Sequence, residues 1–330
     1  MIQHPAVIAL GGAALTTAAM TLYAGAYGLR IHRRWDLTSG SEQQLVLERK
    51  TYLISVIMAY TLAFQILALF LFIQTTDSIH NLFTGAMCAA GSLAANGYGY
   101  PLLLLKIGNC VIAGTWLISN HLDSKGYDYP LIKPKYLLLA LIALLFTAEA
   151  VLQTLYFTGL QADVITSCCG SLFGGARESI TGDIATLPPK LMIAVFTSAF
   201  LLYLASGVYS LVQSRGWLVF AALSLGLFLV AGVALISFIS LYFYELPTHH
   251  CPFCILQKEY GHVGYILYGC LLGGVICGTG CGVAELSRGH ASLGEIIPAV
   301  QKRAAIAAML MNCGFAAIAV TRILTTSFRL

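Results

Sequence analysis

The amino-acid sequence predicts an all-α polytopic membrane protein with about eight transmembrane helices. Of its 330 residues, 58% are hydrophobic and 10% are charged, whereas a soluble domain carries about 25% charged residues. The mean hydropathy of the chain is +0.81. This number of charged residues is too small to cover a water-facing surface. We therefore expect the protein to be surrounded by membrane lipid. The positive residues lie in short clusters between apolar runs, which gives no basis for a nucleic-acid partner.

Eight apolar runs are long enough to cross a bilayer, which requires about 20 residues per helix. They cover residues 6–29, 52–74, 101–120, 136–158, 190–212, 217–243, 260–283 and 304–325. We expect one integral membrane domain over 1–330. Spans one to four and spans five to eight would share one orientation, which makes 1–158 and 187–330 candidate four-helix halves joined by an outer loop, 159–186.

The distribution of positive residues predicts how the chain is oriented. Arg30, Arg33 and Arg34 follow the first apolar run and no basic segment precedes it, which is unlike a cleavable signal peptide. With the chain alternating from there, the inner loops hold twelve Lys and Arg residues and the outer side holds six. We therefore expect both termini to lie outside. We expect the protein to reside in a bacterial inner (cytoplasmic) membrane.

Three unusual segments would then share the outer, periplasmic face. The first, 76–100, is rich in small residues, carries Cys88 and could form a re-entrant or surface-lying helix. The second, 159–189, carries Cys168 and Cys169, and the third contains His-His-Cys-Pro-Phe-Cys at 249–254. None of the predicted inner loops contains a cysteine. This asymmetry predicts a sulfur site that faces outward.

Cys251 and Cys254 form a Cys-x-x-Cys pair, which is the shortest sequence that can make a reversible disulfide or hold one edge of a thiophilic metal. We expect them in the first turn of the seventh helix. The positive helix N-terminus, with His249 and His250, would favour a thiolate there. Cys251, nearer solvent, would exchange with a partner, and Cys254 would lie deeper.

Two residues beyond the pair are candidates for binding a cofactor. Lys258 would lie one helical turn below Cys254, where a cation can stabilise a thiolate or the oxygen of a reduced quinone. His262, a further turn along, would be a proton donor to the quinone.

The run CPFCILQK resembles the Cys-x-x-Cys-Ile-x-x-Arg signature of the DsbB family of membrane thiol oxidases, with Lys258 at the position of the Arg that lies by ubiquinone. The order of spans four to seven resembles the vitamin K epoxide reductase family, in which a loop cysteine pair precedes the Cys-x-x-Cys. The resemblance implies that Cys251 and Cys254 are the redox pair. It also implies that Cys168 and Cys169 are the loop cysteines.

Three functions follow from these residues. The first is a thiol-disulfide oxidoreductase that exchanges electrons between an exported thiol-disulfide carrier, or a periplasmic redox protein, and a membrane quinone. The second is a transporter or metallochaperone for a soft Cu, Zn or Hg ion; the adjacent cysteines resemble the vicinal pair of mercuric-ion transporters. The third is a membrane subunit of an electron-transfer complex. The metal ligands in the second case would be His249, His250, Cys251, Cys254, Cys168 and Cys169.

The remaining chemistry-bearing residues have simpler interpretations. Lys106 in span three and Glu149 in span four are expected to form an ion pair, because charges within a bilayer are expensive unless paired. Cys270, Cys277 and Cys281 are spaced along the seventh span among glycines, which predicts that they pack against neighbouring helices.

Overall fold

A computed structural model describes residues 4–36, 39–161, 164–166, 184–185 and 187–329. Within these ranges there is no β-strand, and eight helices are long and apolar enough to cross a membrane. The predicted class, an all-α polytopic membrane protein, is confirmed. Cys168 and Cys169 lie outside the described residues.

The described ranges contain nine α-helices, and eight of these are the candidate membrane spans. In chain order they are α1 Pro5–Arg34, α2 Glu42–Ser78, the short α3 Ala89–Ala94, α4 Gly99–Asp123, α5 Ile132–Thr158, α6 Pro189–Gln213, α7 Trp217–Tyr244, α8 Val263–Leu286 and α9 Ile296–Thr325. Seven of the predicted apolar runs fall inside one long helix each. The seventh run starts three residues before α8, at 260 rather than 263.

Several helix boundaries follow from local residue chemistry. Helices α1 and α6 each begin at a proline, which suits the first turn because its missing N–H would have no partner within the helix. The connection between α6 and α7 is short because Ser214 and Gly216 adopt left-handed backbone angles, with φ of 53° and 81°.

The chain divides into two compact units. The first comprises Met1–Phe72, Gly97–Leu160 and Val283–Gln301, and the second comprises Ile73–Asn96, Gln161–Gly282 and Lys302–Leu330. The two units are therefore interleaved in the sequence. The candidate halves 1–158 and 187–330 stay a prediction.

The core of the first unit is built by α1, α2, α4 and α5. Trp116 and Tyr136 are fully buried in it, and each donates a hydrogen bond to a backbone carbonyl, of Lys135 and Thr51 respectively. A Cβ at Gly25 of α1 would lie 2.9 Å from the Ala143 Cβ of α5. Small residues thus allow α1 and α5 to approach closely.

The core of the second unit is built by α6, α7, α8 and α9. The rings of Tyr203 and Phe220 stack at 5.1 Å, and Tyr203 accepts a hydrogen bond from Asn312 at 3.0 Å. Cys281 is fully buried in this core and Cys277 packs against it. Both positions fit the packing role expected for the cysteines of α8.

The predicted ion pair within the first unit is present. Lys106 Nζ lies 2.6 Å from Glu149 Oε1, and each side chain is only 4% exposed. Asn109 Nδ2 donates to the other carboxylate oxygen at 2.6 Å, and Gln65 Nε2 lies 3.5 Å from Glu149 Oε1. The carboxylate is therefore held by polar groups from α2 and α4, which satisfies the charge that α5 brings into the bilayer.

Removing one partner of this pair should destabilise the protein. Lys106→Met leaves an unpaired buried carboxylate and should cost about 3–5 kcal/mol of unfolding free energy, whereas Lys106→Met with Glu149→Leu should recover much of that loss. Denaturant unfolding in detergent micelles measures both. Arg288→Met is the control, because its pair with Glu285 is partly exposed, with side chains 41% and 20% exposed, and surface pairs contribute about 0–1 kcal/mol. The prediction would be contradicted if Lys106→Met were as stable as the double mutant, or more stable.

Candidate functional site

Three cysteines of the second unit come together in its interior. The sulfur atoms of Cys88, Cys251 and Cys254 all lie within 4.8 Å of one another, and the Cys88 and Cys251 sulfurs are 3.6 Å apart. The structure contains no disulfide bond between any two of the eight described cysteines. Cys88 and Cys251 are 0% exposed and Cys254 is 6% exposed. The Phe253 N–H points to the Cys251 sulfur at 3.4 Å.

Cys88 lies in the segment that connects α2 to α4. This segment makes a 3-10 turn at His80–Leu82 and then the six-residue helix α3, with Cys88 as the residue just before its first turn. A short helix is therefore present within 76–100, and 88–93 is buried. The re-entrant or surface-lying placement of this segment stays a prediction. Gly85 adopts φ of +89°, and a Cβ there would lie 2.3 Å from the Thr166 carbonyl oxygen, so only glycine fits this turn.

The expectation that Cys251 and Cys254 begin the seventh helix is wrong. Between α7 and α8 the chain makes two separate 3-10 turns, Cys254–Leu256 and Lys258–Tyr260, and α8 begins only at Val263. The helix N-terminus therefore does not lie beside the sulfurs, and Lys258 is not one helical turn below Cys254.

The backbone after the motif explains this difference. Gln257 is extended, with φ of −76° and ψ of 162°, so the first 3-10 turn cannot continue as a helix. Gly261 and His262 then adopt left-handed angles, with φ of 63° and 56°. A left-handed non-glycine residue costs conformational energy, so surrounding contacts must hold it. One such contact is the hydrogen bond from His262 Nδ1 to the Leu256 carbonyl at 2.7 Å.

Two tyrosines hold the irregular backbone around the motif. The Tyr244 hydroxyl, at the end of α7, donates to the Cys251 carbonyl at 2.5 Å and accepts from the Ile255 N–H at 3.0 Å. The Tyr268 hydroxyl, on α8, donates to the Pro252 carbonyl. Buried backbone groups that no helix satisfies thus receive side-chain partners.

The two histidines have different surroundings. His249 Nε2 lies 3.4 Å from the Cys254 sulfur, and its ring packs edge-on against Tyr244. Burial lowers the pKa of His249 below its ordinary value, so at neutral pH it offers a neutral imidazole rather than the expected positive charge. His250 Nδ1 donates to the Ile236 carbonyl at 2.8 Å, within a π-helical turn of α7. Such turns free a carbonyl from the helical pattern.

An acidic residue and an amide join the two cysteine segments. Asp77 Oδ1 accepts from the Ala89 N–H at 3.0 Å and from Gln257 Nε2 at 3.4 Å. Gln257 Nε2 also lies 2.8 Å from the Met87 carbonyl. We call Asp77 and Gln257 the clamp. Sequence reasoning missed it, because its two members are 180 residues apart and neither lies in a recognisable motif.

The structure brings some of the predicted site residues together and leaves others apart. Cys251, Cys254 and His249 lie together, and Cys88 joins them. Lys258 and His262 are exposed on the chain between the motif and α8, so their quinone-binding role stays a prediction. The expectation that Cys251 is the thiol nearer solvent is wrong, because it is more buried than Cys254.

In comparisons with known proteins, no family model, curated protein or solved structure matches the chain.

Breaking the clamp should loosen Cys88 relative to Cys251. In a Cys254→Ser background, Gln257→Leu should slow oxidation of Cys88 and Cys251 to a disulfide about fivefold, because one hydrogen bond stabilises by about 1 kcal/mol. Mass spectrometry of alkylated peptides over a time course of mild oxidation measures the rate. Gln153→Leu is the matched control, since that glutamine bonds to a backbone carbonyl of the first unit. Equal rates in both variants would mean that the clamp does not position the sulfurs.

Proposed function

We propose that the protein is a membrane thiol-disulfide oxidoreductase that exchanges electrons between an exported dithiol or disulfide partner and a membrane quinone. The observation that supports this best is the 3.6 Å separation of the Cys88 and Cys251 sulfurs, with Cys254 beside them. Three sulfurs are the smallest set within which a disulfide can move by internal exchange. One pair is oxidised while the third thiolate attacks it.

The exchange balances within the cluster. The Cys88 thiolate attacks the Cys251 sulfur of a Cys251–Cys254 disulfide, the old S–S bond breaks, and Cys254 leaves as a thiolate that takes up a proton. A dithiol donor then reduces the Cys88–Cys251 disulfide to two thiols and is itself oxidised to a disulfide. Re-oxidation of the two cluster thiols gives two electrons and two protons to the quinone, which becomes a quinol. Lys258 and His262 are the residues proposed to lie by that quinone.

Burial of the cluster supports a contact with the partner through other residues. A thiol that is 0% exposed cannot be attacked by a folded partner protein, and this applies to both Cys88 and Cys251. Cys168 and Cys169, the loop pair implied by the resemblance to vitamin K epoxide reductases, are therefore proposed to exchange with the partner. They would pass electrons on to the buried sulfurs.

A soft-metal transporter or metallochaperone is the second candidate function. It is favoured by the same three sulfurs and by the neutral His249 imidazole 3.4 Å from Cys254. Transport requires in addition that the ion enters and leaves the site, so binding alone would not distinguish it from an enzyme that holds an ion.

Each cysteine of the cluster should be required for activity. Cys88→Ser, Cys251→Ser and Cys254→Ser should each lower quinone-dependent oxidation of a dithiol substrate by roughly 100-fold or more, because residues that act as a unit fail together. Anaerobic quinone absorbance measures the rate for protein in detergent with dithiothreitol as the substrate. Cys110→Ser, a buried thiol of the first unit, should retain the wild-type rate. Wild-type rates in all three cluster variants would refute the proposal.

The proposed periplasmic orientation can be tested at the two ends of α8. Lys258 and Arg288 are both exposed and lie just before and just after this helix. In intact cells, and in a Cys168→Ser/Cys169→Ser background, Lys258→Cys should react with a membrane-impermeant maleimide. Arg288→Cys should react only after the cells are opened, since the positive residues favour 288 inside. The reverse pattern would place the site on the cytoplasmic face.

A further inference from the structure

We propose that the reduced sulfurs of Cys88, Cys251 and Cys254 form a binding site for one divalent thiophilic metal ion, zinc or a heavier ion of the same type. The site shares its sulfurs with the proposed oxidoreductase but does not depend on that activity. It requires only that the three thiols are reduced and held together.

The distances between the sulfurs suit a metal better than a disulfide. With metal–sulfur bonds of about 2.3 Å, ligand sulfurs lie about 3.8 Å apart in a tetrahedral site and about 4.0 Å apart in a trigonal one. The Cys88 and Cys251 sulfurs are 3.6 Å apart, and all three lie within 4.8 Å. A disulfide bond is about 2.05 Å long. Metal ligation therefore requires the Cys88–Cys251 separation to change by only a few tenths of an ångström and the other sulfur separations to shorten by at most about 1 Å. A Cys88–Cys251 disulfide requires those two sulfurs to approach by about 1.5 Å.

The ligands are held in place before any ion binds. Asp77 fixes the first N–H of α3, directly after Cys88, and Tyr244 fixes the backbone on both sides of the Cys251–Cys254 turn. The Phe253 N–H directed at the Cys251 sulfur is the kind of outer-shell hydrogen bond that supports metal-bound thiolates. A preorganised site loses less conformational entropy on binding.

Charge selects the class of ion. Three thiols that bind a divalent ion release three protons and leave a net charge of −1, whereas a monovalent ion would leave −2. Buried net charge is costly, so the divalent ion is favoured. Thiolate ligands select soft or borderline ions over magnesium and calcium, which prefer oxygen. His249 Nε2 lies 3.4 Å from the Cys254 sulfur and supports it from outside the three-sulfur group.

Metal binding and disulfide exchange exclude each other at this site, because each uses the same sulfur electrons. A bound ion would hold the three cysteines reduced, and oxidation of any pair would release it. The ion is therefore expected to inhibit dithiol oxidation reversibly.

The test is a titration of the reduced protein with Cd(II), whose absorption with thiolates reports the number of sulfur ligands. A Cys168→Ser/Cys169→Ser background removes the adjacent cysteine pair as a competing site. We expect one Cd(II) per chain with three sulfur ligands, and competition for the same site from excess Zn(II). Cys88→Ser, Cys251→Ser and Cys254→Ser should each weaken binding by more than about 100-fold, beyond the range typical of outer-shell changes.

Matched variants separate ligation from general effects of mutation. Cys110→Ser removes a buried thiol outside the cluster and should bind Cd(II) as the parent does. His249→Ala should weaken binding about tenfold as an outer-shell change, whereas His250→Ala, whose ring is bonded to α7, should leave binding unchanged. Thermal unfolding of each variant, and Cys88→Ala as a second replacement, show whether a loss of binding reflects a loss of fold.

Failure of binding by the folded parent protein, or parent-like affinity in folded Cys88→Ser, would overturn the metal site. These results can be told apart from failure of the proposed function. A protein that binds Cd(II) but does not oxidise dithiols refutes only the oxidoreductase, and one that oxidises dithiols without binding Cd(II) refutes only the metal site.

Discussion

Backbone hydrogen bonding is the constraint on which the cysteine site depends. Hydrocarbon offers no partner to an N–H or C=O group, so a membrane protein can leave the helical pattern only where its own side chains take over. Two buried segments of the described chain, before α4 and before α8, leave the helical pattern and have such side-chain partners. The hydroxyl of Tyr244 satisfies a carbonyl and an N–H of the Cys251–Cys254 turn, and Asp77 satisfies the first N–H of α3. The bonds that make irregular backbone tolerable also fix the sulfurs.

The helical framework could be predicted from the sequence because its determinants are local. An apolar run of about 20 residues is sufficient to specify a spanning helix, and all eight runs correspond to helices. The Lys106–Glu149 pair could also be predicted, although its members lie on different helices. A charge within the bilayer requires a partner, and the apolar sequence around these two residues offers few others.

The site could be predicted only in part, because its geometry arises from tertiary contacts. Proline and the Cys-x-x-Cys spacing suited a helix start, but the extended Gln257 and the left-handed Gly261 and His262 separate the motif from α8. Cys88 lies 163 residues before Cys251, and no periodicity or spacing links them. The sequence predicted a re-entrant or surface-lying helix for its segment, but only the folded chain shows which sulfur Cys88 meets.

Burial of the three sulfurs has opposite consequences for the two chemistries they could support. A closed site excludes water and holds ligands rigidly, which favours metal binding, but it also denies a partner protein direct access to the thiols. An oxidoreductase with this cluster therefore needs an intermediate thiol, and the proposed loop pair would supply it. A metal site needs no such relay, because an ion is small enough to enter where a protein cannot. The proposed oxidoreductase therefore needs Cys168 and Cys169, whereas the proposed metal site does not. This difference arises from the burial of Cys88 and Cys251 rather than from the Cys-x-x-Cys motif itself.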